Sequence, residues 1–425
     1  MRVWLFKTGE PLPCDFGSPR RLRTGMIAET LVDRGHDVVW WSSTFNQVSR
    51  TDRFASDTML QLQPRFRLWL LHNVGYTKNV SFDRIKYNRR TALAFERVAR
   101  AEPKPDIILC SMPTIENALA ATNYGLQHNV PVVLDCRDMW PDIILDRFPK
   151  WGQPLAKHLL GSMYRNMRAA AQQATALTGI TNDFVDWVVG YADRDRTPLD
   201  RAFPLAYSGN APSHQEQQNA SEFWQKHGIG GNGEFVVCFF GNISPRYELS
   251  DVIRAARILE ARSFNGRFII CGDGEALPQL KKEAGNLKNV LFPGWLGAPE
   301  IWSLMRYSQL GVVPYPSTRD YRISVPNKAI EYLSAGLPVV TSLSGTLHQL
   351  LESNGCGTRY PNGNAEALAS LVMKAAQSPQ WLQQMAQNAS QLFEREFVGE
   401  RVYGQMCDYL ETIIESHGNQ SRLAA

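Results

Sequence analysis

Paired cysteines are missing from this chain: seven are present, an odd number, scattered without a C-x-x-C spacing, which argues against a disulfide framework and a zinc site. They read instead as small buried apolar residues. No apolar run approaches the roughly 18 residues of a membrane span, and Met1-Arg2-Val3-Trp4-Leu5-Phe6-Lys7 meets charge too early for a signal peptide. The expectation is a cytoplasmic chain. No Gly-x-Gly-x-x-Gly follows the first apolar run, where Lys7-Thr8-Gly9-Glu10-Pro11 stands, which counts against a dinucleotide dehydrogenase. A P-loop and a Gly-x-Ser-x-Gly turn are also missing, and His36 and His72 have no partnered nucleophile, so a hydrolase triad is not indicated. Short-period repeats and low-complexity tracts are absent too.

What is present is an ordinary globular composition, 44% hydrophobic and 20% charged over 425 residues, too long for one typical core. Short apolar runs alternate with helical patterns, the mark of βα units and parallel sheets. In the first half the strand candidates begin at Val3, Asp37, Arg67, Asp106, Pro131 and Ala176. A polar stretch from Ala211 to Asn219 separates them from a second series beginning at Phe235, Phe268, Val290, Leu310 and Pro338. Two Rossmann-like doubly wound domains are therefore expected, 1–210 and 211–425. A last helical pattern, from about Ala365 to Ile414, could cross back onto the first domain.

The net charge of +4 hides an asymmetry. Residues 1–100 hold 17 Lys+Arg against 9 Asp+Glu, and residues 211–425 hold 18 against 20. Arg20, Arg21 and Arg23 open one helix, and Lys78, Arg84, Lys86, Arg89 and Arg90 lie near Tyr76, Phe82 and Tyr87. Basic and aromatic residues together fit an anionic membrane surface. A solvated basic face explains them equally, and no nucleic-acid-binding motif is present.

The most informative stretch runs from Ser324 to Val340. Pro326 suits a helix start, and Gly336 followed by Pro338 ends it before an apolar strand. The free amides near Asn327 and Lys328 carry partial positive charge, so a lysine in this first turn is unfavourable unless an anion sits opposite. A phosphate would reverse that cost. One turn on, Glu331 can accept hydrogen bonds from the hydroxyls of an attached sugar. A surface lysine on an ordinary helix, with Glu331 paired elsewhere, suits the same residues.

In open α/β sheets ligands bind at the carboxyl ends of strands. Gly241-Asn242 and Gly272-Asp273-Gly274 follow two strands of the second domain, and glycine lets backbone amides approach an anion. Arg246 adds a cation that could act with Lys328 on a diphosphate, or it is a solvent-exposed loop arginine. Asp135-Cys136-Arg137-Asp138 lies past a first-domain strand, where Asp138 could be a base or hydroxyl orienter and Arg137 an anion contact. An internal Arg–Asp pair is the alternative.

Taken together, Phe240-Gly241-Asn242-Ile243, Cys271-Gly272-Asp273-Gly274-Glu275, Lys288 through Gly294 and Ser324 through Val340 resemble the retaining glycosyltransferases of family 4. Bacterial enzymes of capsule, O-antigen and exopolysaccharide synthesis are the nearest in kind. The resemblance implies a GT-B fold, two Rossmann-like domains facing an interdomain cleft, and a nucleotide-sugar donor. It places Glu331 on the donor ribose, and Trp295 and Leu296 by the nucleobase. Gly241, Asn242, Gly272, Gly274, Pro326, Asn327 and Lys328 also fall on the donor side, and Gly9, Asp135, Arg137 and Asp138 on the acceptor side.

The chain departs from the family pattern where Ile323 replaces the first glutamate of the Glu-seven-Glu motif. The usual phosphate grip is altered too, to Gly241-Asn242 and Tyr247-Glu248. This assigns the diphosphate charge to Arg246 and Lys328, with Arg137 and Asp138 joining them as catalytic candidates. No metal or other cofactor is expected. The implied reaction moves a hexose or N-acetylhexosamine, UDP-linked, to a lipid-linked saccharide at the inner face of the cytoplasmic membrane. A sugar-nucleotide epimerase of GT-B-like shape and a non-catalytic nucleotide-sugar or glycan-binding scaffold are the alternatives.

Overall fold

The computed structural model describes residues 1–17, 20–77, 81–231 and 233–424. The chain divides into two compact units, Met1–Pro204 with Glu400–Ala425, and Leu205–Gly399.

In the first unit, β1 (Arg2–Phe6) and β2 (Asp37–Ser43) are followed by a small hairpin, β3 (Phe45–Asn46) and β4 (Thr51–Asp52). Then come β5 (Thr58–Gln63), β6 (Phe66–Leu71), β7 (Ile107–Ser111), β8 (Val132–Cys136), β9 (Ala176–Gly179) and β10 (Arg201–Ala202). Eight of these form one sheet in the order β10-β9-β8-β7-β1-β2-β6-β5, with β5 antiparallel at the edge. Central strands such as β7 and β8 are buried throughout, as continuous apolar runs covered by helices on both faces should be. An aromatic cluster packs against this sheet. Trp4 meets Trp41 edge-on at 5.0 Å between ring centroids, and Phe95 packs across both.

The second unit holds β11 (Phe235–Phe240), β12 (Gly266–Cys271), β13 (Val290–Gly294), β14 (Leu310–Val313), β15 (Val339–Thr341) and β16 (Gly357–Arg359), all parallel, in the order β13-β12-β11-β14-β15-β16. Both sheets are thus Rossmann-like. The switch point of the second falls between β11 and β14, which fixes where a ligand should sit. The helix Asn327–Ser334 packs against that point: the Tyr332 hydroxyl donates to the Cys238 carbonyl at 3.1 Å. Gly311 permits this, because a Cβ there would lie 2.5 Å from the Tyr332 ring.

Several boundaries differ from those the sequence predicts. The units part at Pro204/Leu205 rather than at 210, because Tyr207 pairs with Val398 and so joins the second unit. The helical pattern over 365–414 is three helices, Ala365–Gln377, Pro379–Glu396 and Gly399–Ala424. From Glu400 onward the chain groups with the first unit, where the Tyr409 hydroxyl donates to the Leu199 carbonyl at 2.6 Å. Among the described residues no helix is long and apolar enough to cross a membrane.

Candidate functional site

Three loops converge at the carboxyl edge of the second sheet. Gly241, Gly272 and Gly274 all have positive φ, at 121°, 138° and 152°. A Cβ on Gly272 would fall 1.8 Å from the Gly241 carbonyl oxygen, so glycine is required by contact as well as by conformation. The amides of these glycines are not waiting for an anion, as the sequence suggests. Gly241 N–H donates to the Cys271 carbonyl, Gly272 N–H to the Gly294 carbonyl and Gly274 N–H to the Asp273 carboxylate. Their role is close packing of loop on loop, which leaves exposed Asn242 at the rim.

Beside them stands the helix Asn327–Ser334. Pro326 is its N-cap, with extended ψ and no side-chain cap bond, so the first-turn amides of Asn327 and Lys328 receive nothing from the cap residue. At the other end Gly336 turns with φ 64°, and Leu337 N–H donates back to the Tyr332 carbonyl. Lys328 is buried rather than a surface lysine. Its Nζ donates to the Phe240 carbonyl at the end of β11 and sits 3.5 Å from the Phe239 ring centroid. Burial lowers the Lys328 pKa to about 7, and the nearby Glu331 carboxylate, itself buried, opposes that fall. A buried amine that is half-charged near neutrality gains greatly from an arriving anion.

Arg246 does not stand free to join it. Its guanidinium donates to the Asp320 carboxylate at 3.0 Å and lies over the Tyr321 ring. Asp320 sits in the short helix Arg319–Arg322 just before Ile323, a partnership 74 residues apart that no local pattern announces. Tyr247, Tyr315 and Tyr321 form an aromatic cluster next to it, with Tyr247 stacked on Tyr315 at 4.2 Å. Sequence reasoning passed over this cluster. Trp295 is 71% exposed on the turn after β13, whereas Leu296 packs against the core.

In the first unit, the residues assigned to the acceptor side lie at the carboxyl ends of β1 and β8. Gly9 has φ 81°, and the Gln47 side chain covers the place a Cβ would take. Asp135 is fully buried and receives two guanidinia: Arg23 at 2.9 and 3.0 Å and Arg137 at 2.7 Å. Burial alone would raise the Asp135 carboxyl, but the charges of Arg23 and Arg137 hold it well below the usual carboxylate range. Arg137 also bonds Glu10, the Thr24 hydroxyl at 3.0 Å and the Ser111 hydroxyl at 2.6 Å. The internal Arg–Asp pair is therefore the observed state, and Arg137 has its donors committed within the unit. Asp138 is half-buried and accepts from Met139 N–H.

Lys7 was not singled out from the sequence, yet it belongs to the same cluster. Its Nζ donates to the Met112 carbonyl at 3.5 Å, and burial, then Arg137, lowers its pKa to about 8. Its place directly after β1 is the one signal that could have found it.

The basic face expected near the N-terminus is only partly a face. Arg23 is buried in its ion pair, and Tyr76 and Tyr87 are buried against Phe45. Arg84 lies over the Tyr76 and Trp140 rings. Phe82, Lys86, Arg89 and Arg90 are exposed, and Lys78 lies outside the described residues.

Known proteins share both units of this fold. The Glycosyl transferases group 1 family matches residues 221–392, and the Glycosyl transferase 4-like domain matches residues 21–200. The chain is 28% identical to the amylovoran biosynthesis glycosyltransferase AmsK of Erwinia amylovora over 169 residues, 39% of this chain and 42% of that protein. It is 25% identical to the alpha-D-kanosaminyltransferase of Streptomyces kanamyceticus over 230 residues, 53% of this chain and 57% of that one. The match thus spans about half the length of these curated relatives. The crystal structure of Anabaena HepE in complex with UDP and glucose superposes with a TM-score of 0.66 at 17% identity, covering 97% of this chain and 100% of that one. Residues 21–200 thus carry the Glycosyl transferase 4-like domain and residues 221–392 the Glycosyl transferases group 1 domain, one on each Rossmann-like unit of a GT-B fold.

Proposed function

We propose that this protein transfers a hexose or N-acetylhexosamine, with retention, from a UDP-sugar to a lipid-linked saccharide in the synthesis of a cell-envelope polysaccharide. The observation that carries the reading is the buried amine of Lys328 beside the open first turn of the Pro326 helix, with Glu331 one turn further on. A diphosphate placed there would draw on the ammonium and the helix amides together. Charge developing on the departing diphosphate is then met by groups already in place, which is the main source of rate in such a site. Glu331 would take the ribose hydroxyls. Arg246 would contribute only by leaving Asp320, so Lys328 carries the larger share. The UDP bound by HepE and the polymer named for AmsK support the donor and the pathway class.

Incubation with a panel of nucleotide sugars, reading released nucleoside diphosphate with and without membrane extract, tests the reading. Release that depends on the extract is expected. Conversion of the donor sugar without any acceptor would mark an epimerase, and no turnover at all would mark a binding scaffold.

Two further outcomes follow. Trp295→Ala should raise the donor KM about 5- to 150-fold with little change in kcat, since a base stacked on an aromatic ring is worth about 1–3 kcal/mol; steady-state kinetics over donor concentration checks this. Because the reading assigns the diphosphate to protein cations and amides, EDTA should leave turnover unchanged. Loss of turnover that added Mg²⁺ restores would contradict that assignment.

A further inference from the structure

Eleven of the twelve exposed large hydrophobic residues among those described belong to the first unit, Trp295 being the other. Scattered single exposures are ordinary, but a contiguous group calls for an explanation. Four of them, Phe148, Trp151, Leu155 and Leu159, fall within one twelve-residue segment that follows β8. Trp151 is 87% exposed. The segment folds as a helical turn, Lys150–Gly152, running into the helix Gln153–Leu159. Trp151, Leu155 and Leu159 recur every fourth residue and so share one side of it, while Ala156 is buried and faces the unit.

Charge selects the occupant. Between Asp146 and Asp183 the chain holds Arg147, Lys150, Lys157, Arg165 and Arg168 and no acidic residue at all. All five of these cations are exposed. An apolar stripe with a tryptophan, in a run of chain from 147 to 182 whose Lys and Arg side chains meet no acidic one, has the chemistry of a surface that lies in the headgroup layer of an anionic bilayer. The patch also has company. Phe16, Val48, Val74 and Phe82 are exposed on the connections leaving β1, β2 and β6, and these strands run parallel to β8, so all four connections leave one edge of the sheet.

We propose that the segment Phe148–Leu159 anchors the first unit to anionic lipid, with the carboxyl edge of its sheet turned towards the membrane. The anchor stands on exposure and charge; its use in presenting the acceptor rests on the lipid-linked acceptor proposed above. That edge also carries the Lys7, Asp135, Arg137 and Asp138 cluster, so a saccharide on a lipid carrier would arrive at it directly from the bilayer.

Sedimentation of the full chain with phosphatidylglycerol/phosphatidylethanolamine vesicles, compared with pure phosphatidylcholine vesicles, tests the anchor. The wild type should favour the anionic vesicles by at least about tenfold. The triple change Trp151→Ser, Leu155→Ser and Leu159→Ser should lower the partition coefficient by at least about tenfold. Lys150→Glu with Lys157→Glu should remove the preference for anionic lipid. All these side chains are exposed, so unchanged thermal unfolding is expected and verifies that the variants fold.

Vesicle binding by the triple variant equal to wild type would overturn the proposal, as would a wild type that does not bind anionic vesicles. If light scattering shows a dimer that the triple variant converts to monomer, the stripe covers a second copy and the proposal falls. Nucleotide-sugar turnover with membrane extract as the source of acceptor is read separately. Its absence with vesicle binding intact would sink the functional reading and leave the anchor standing.

Discussion

Replacing Lys328 by methionine should lower kcat/KM for the nucleotide sugar by about 10²- to 10³-fold, the usual loss when one preorganised charge-stabilising donor is removed. Methionine fills a similar space without the ammonium. Two effects on stability oppose each other: the Phe240 carbonyl loses its donor, costing about 1–3 kcal/mol, while the burden of a buried ammonium is lifted. Activity should therefore fall without unfolding. Release of UDP under steady-state conditions measures the first, and chemical denaturation the second. Retention of activity within threefold would mean that the diphosphate does not bind at the Pro326 helix.

The same residue should govern the pH dependence of UDP binding. In the free protein burial lowers Lys328 to about 7 from an ordinary 10.5. A diphosphate binds the protonated amine, so binding takes up a proton above pH 7 and affinity falls by up to about tenfold per pH unit as pH rises. Below that value Lys328 is already charged and contributes no further slope. Stability moves the opposite way. Between pH 7 and 10.5 the unfolded chain holds a proton that the folded chain does not, so the Lys328 contribution to folding stability improves as pH rises through that window. Calorimetry of UDP binding in buffers of different ionisation enthalpy should show the proton uptake in the wild type and lose it in Lys328→Met.

Asp135→Asn should reduce the free energy of unfolding by about 3–5 kcal/mol, the typical cost of removing one partner from a buried ion pair. The carboxylate is completely buried and holds both Arg23, which is buried as deeply, and Arg137. Asparagine keeps the shape and loses the charge, leaving two guanidinia without their shared counterion. Because the folded-state pKa of Asp135 is depressed, its stabilisation is fully present above the ordinary carboxylate range and is lost progressively as pH falls from that range to the depressed value. Urea unfolding at pH 7 and in mild acid would show both the lower stability of the variant and the loss of this acid dependence. A variant as stable as wild type but impaired in kcat would instead make Asp135 an acceptor contact.

Legibility varied with how local the determinant was. The strand at Phe235–Phe240 and the helix closed by Gly336 and Pro338 were readable because apolar runs, proline and glycine act within a few residues. Five strands escaped, and three of them, β3, β4 and β10, are only two residues long. In β5, Thr58–Gln63, exposure alternates along an edge strand, so no continuous apolar run marks it, and β16 is only three residues long. The glycine turns after β11 and β12 were found where expected, but their amides were assigned to a ligand when they bind neighbouring carbonyls and a carboxylate. From the sequence Arg23 reads as one of three arginines opening a helix, and Arg137 as an anion contact or as half of an internal Arg–Asp pair. Each is tied to acids more than a hundred residues away in the chain, Asp135 for Arg23 and Glu10 for Arg137.

The amino-acid order alone determined two Rossmann-like units, the Pro326 helix and the glycine turns, since backbone sterics and apolar periodicity act over a few neighbouring positions. Tertiary structure decided which partner each of these charges takes within the protein. It paired Arg246 with Asp320 and Arg137 with Asp135, and buried Lys328 against a backbone carbonyl. Coulomb and desolvation energies depend on distance and burial in space, and positions along a chain do not specify either.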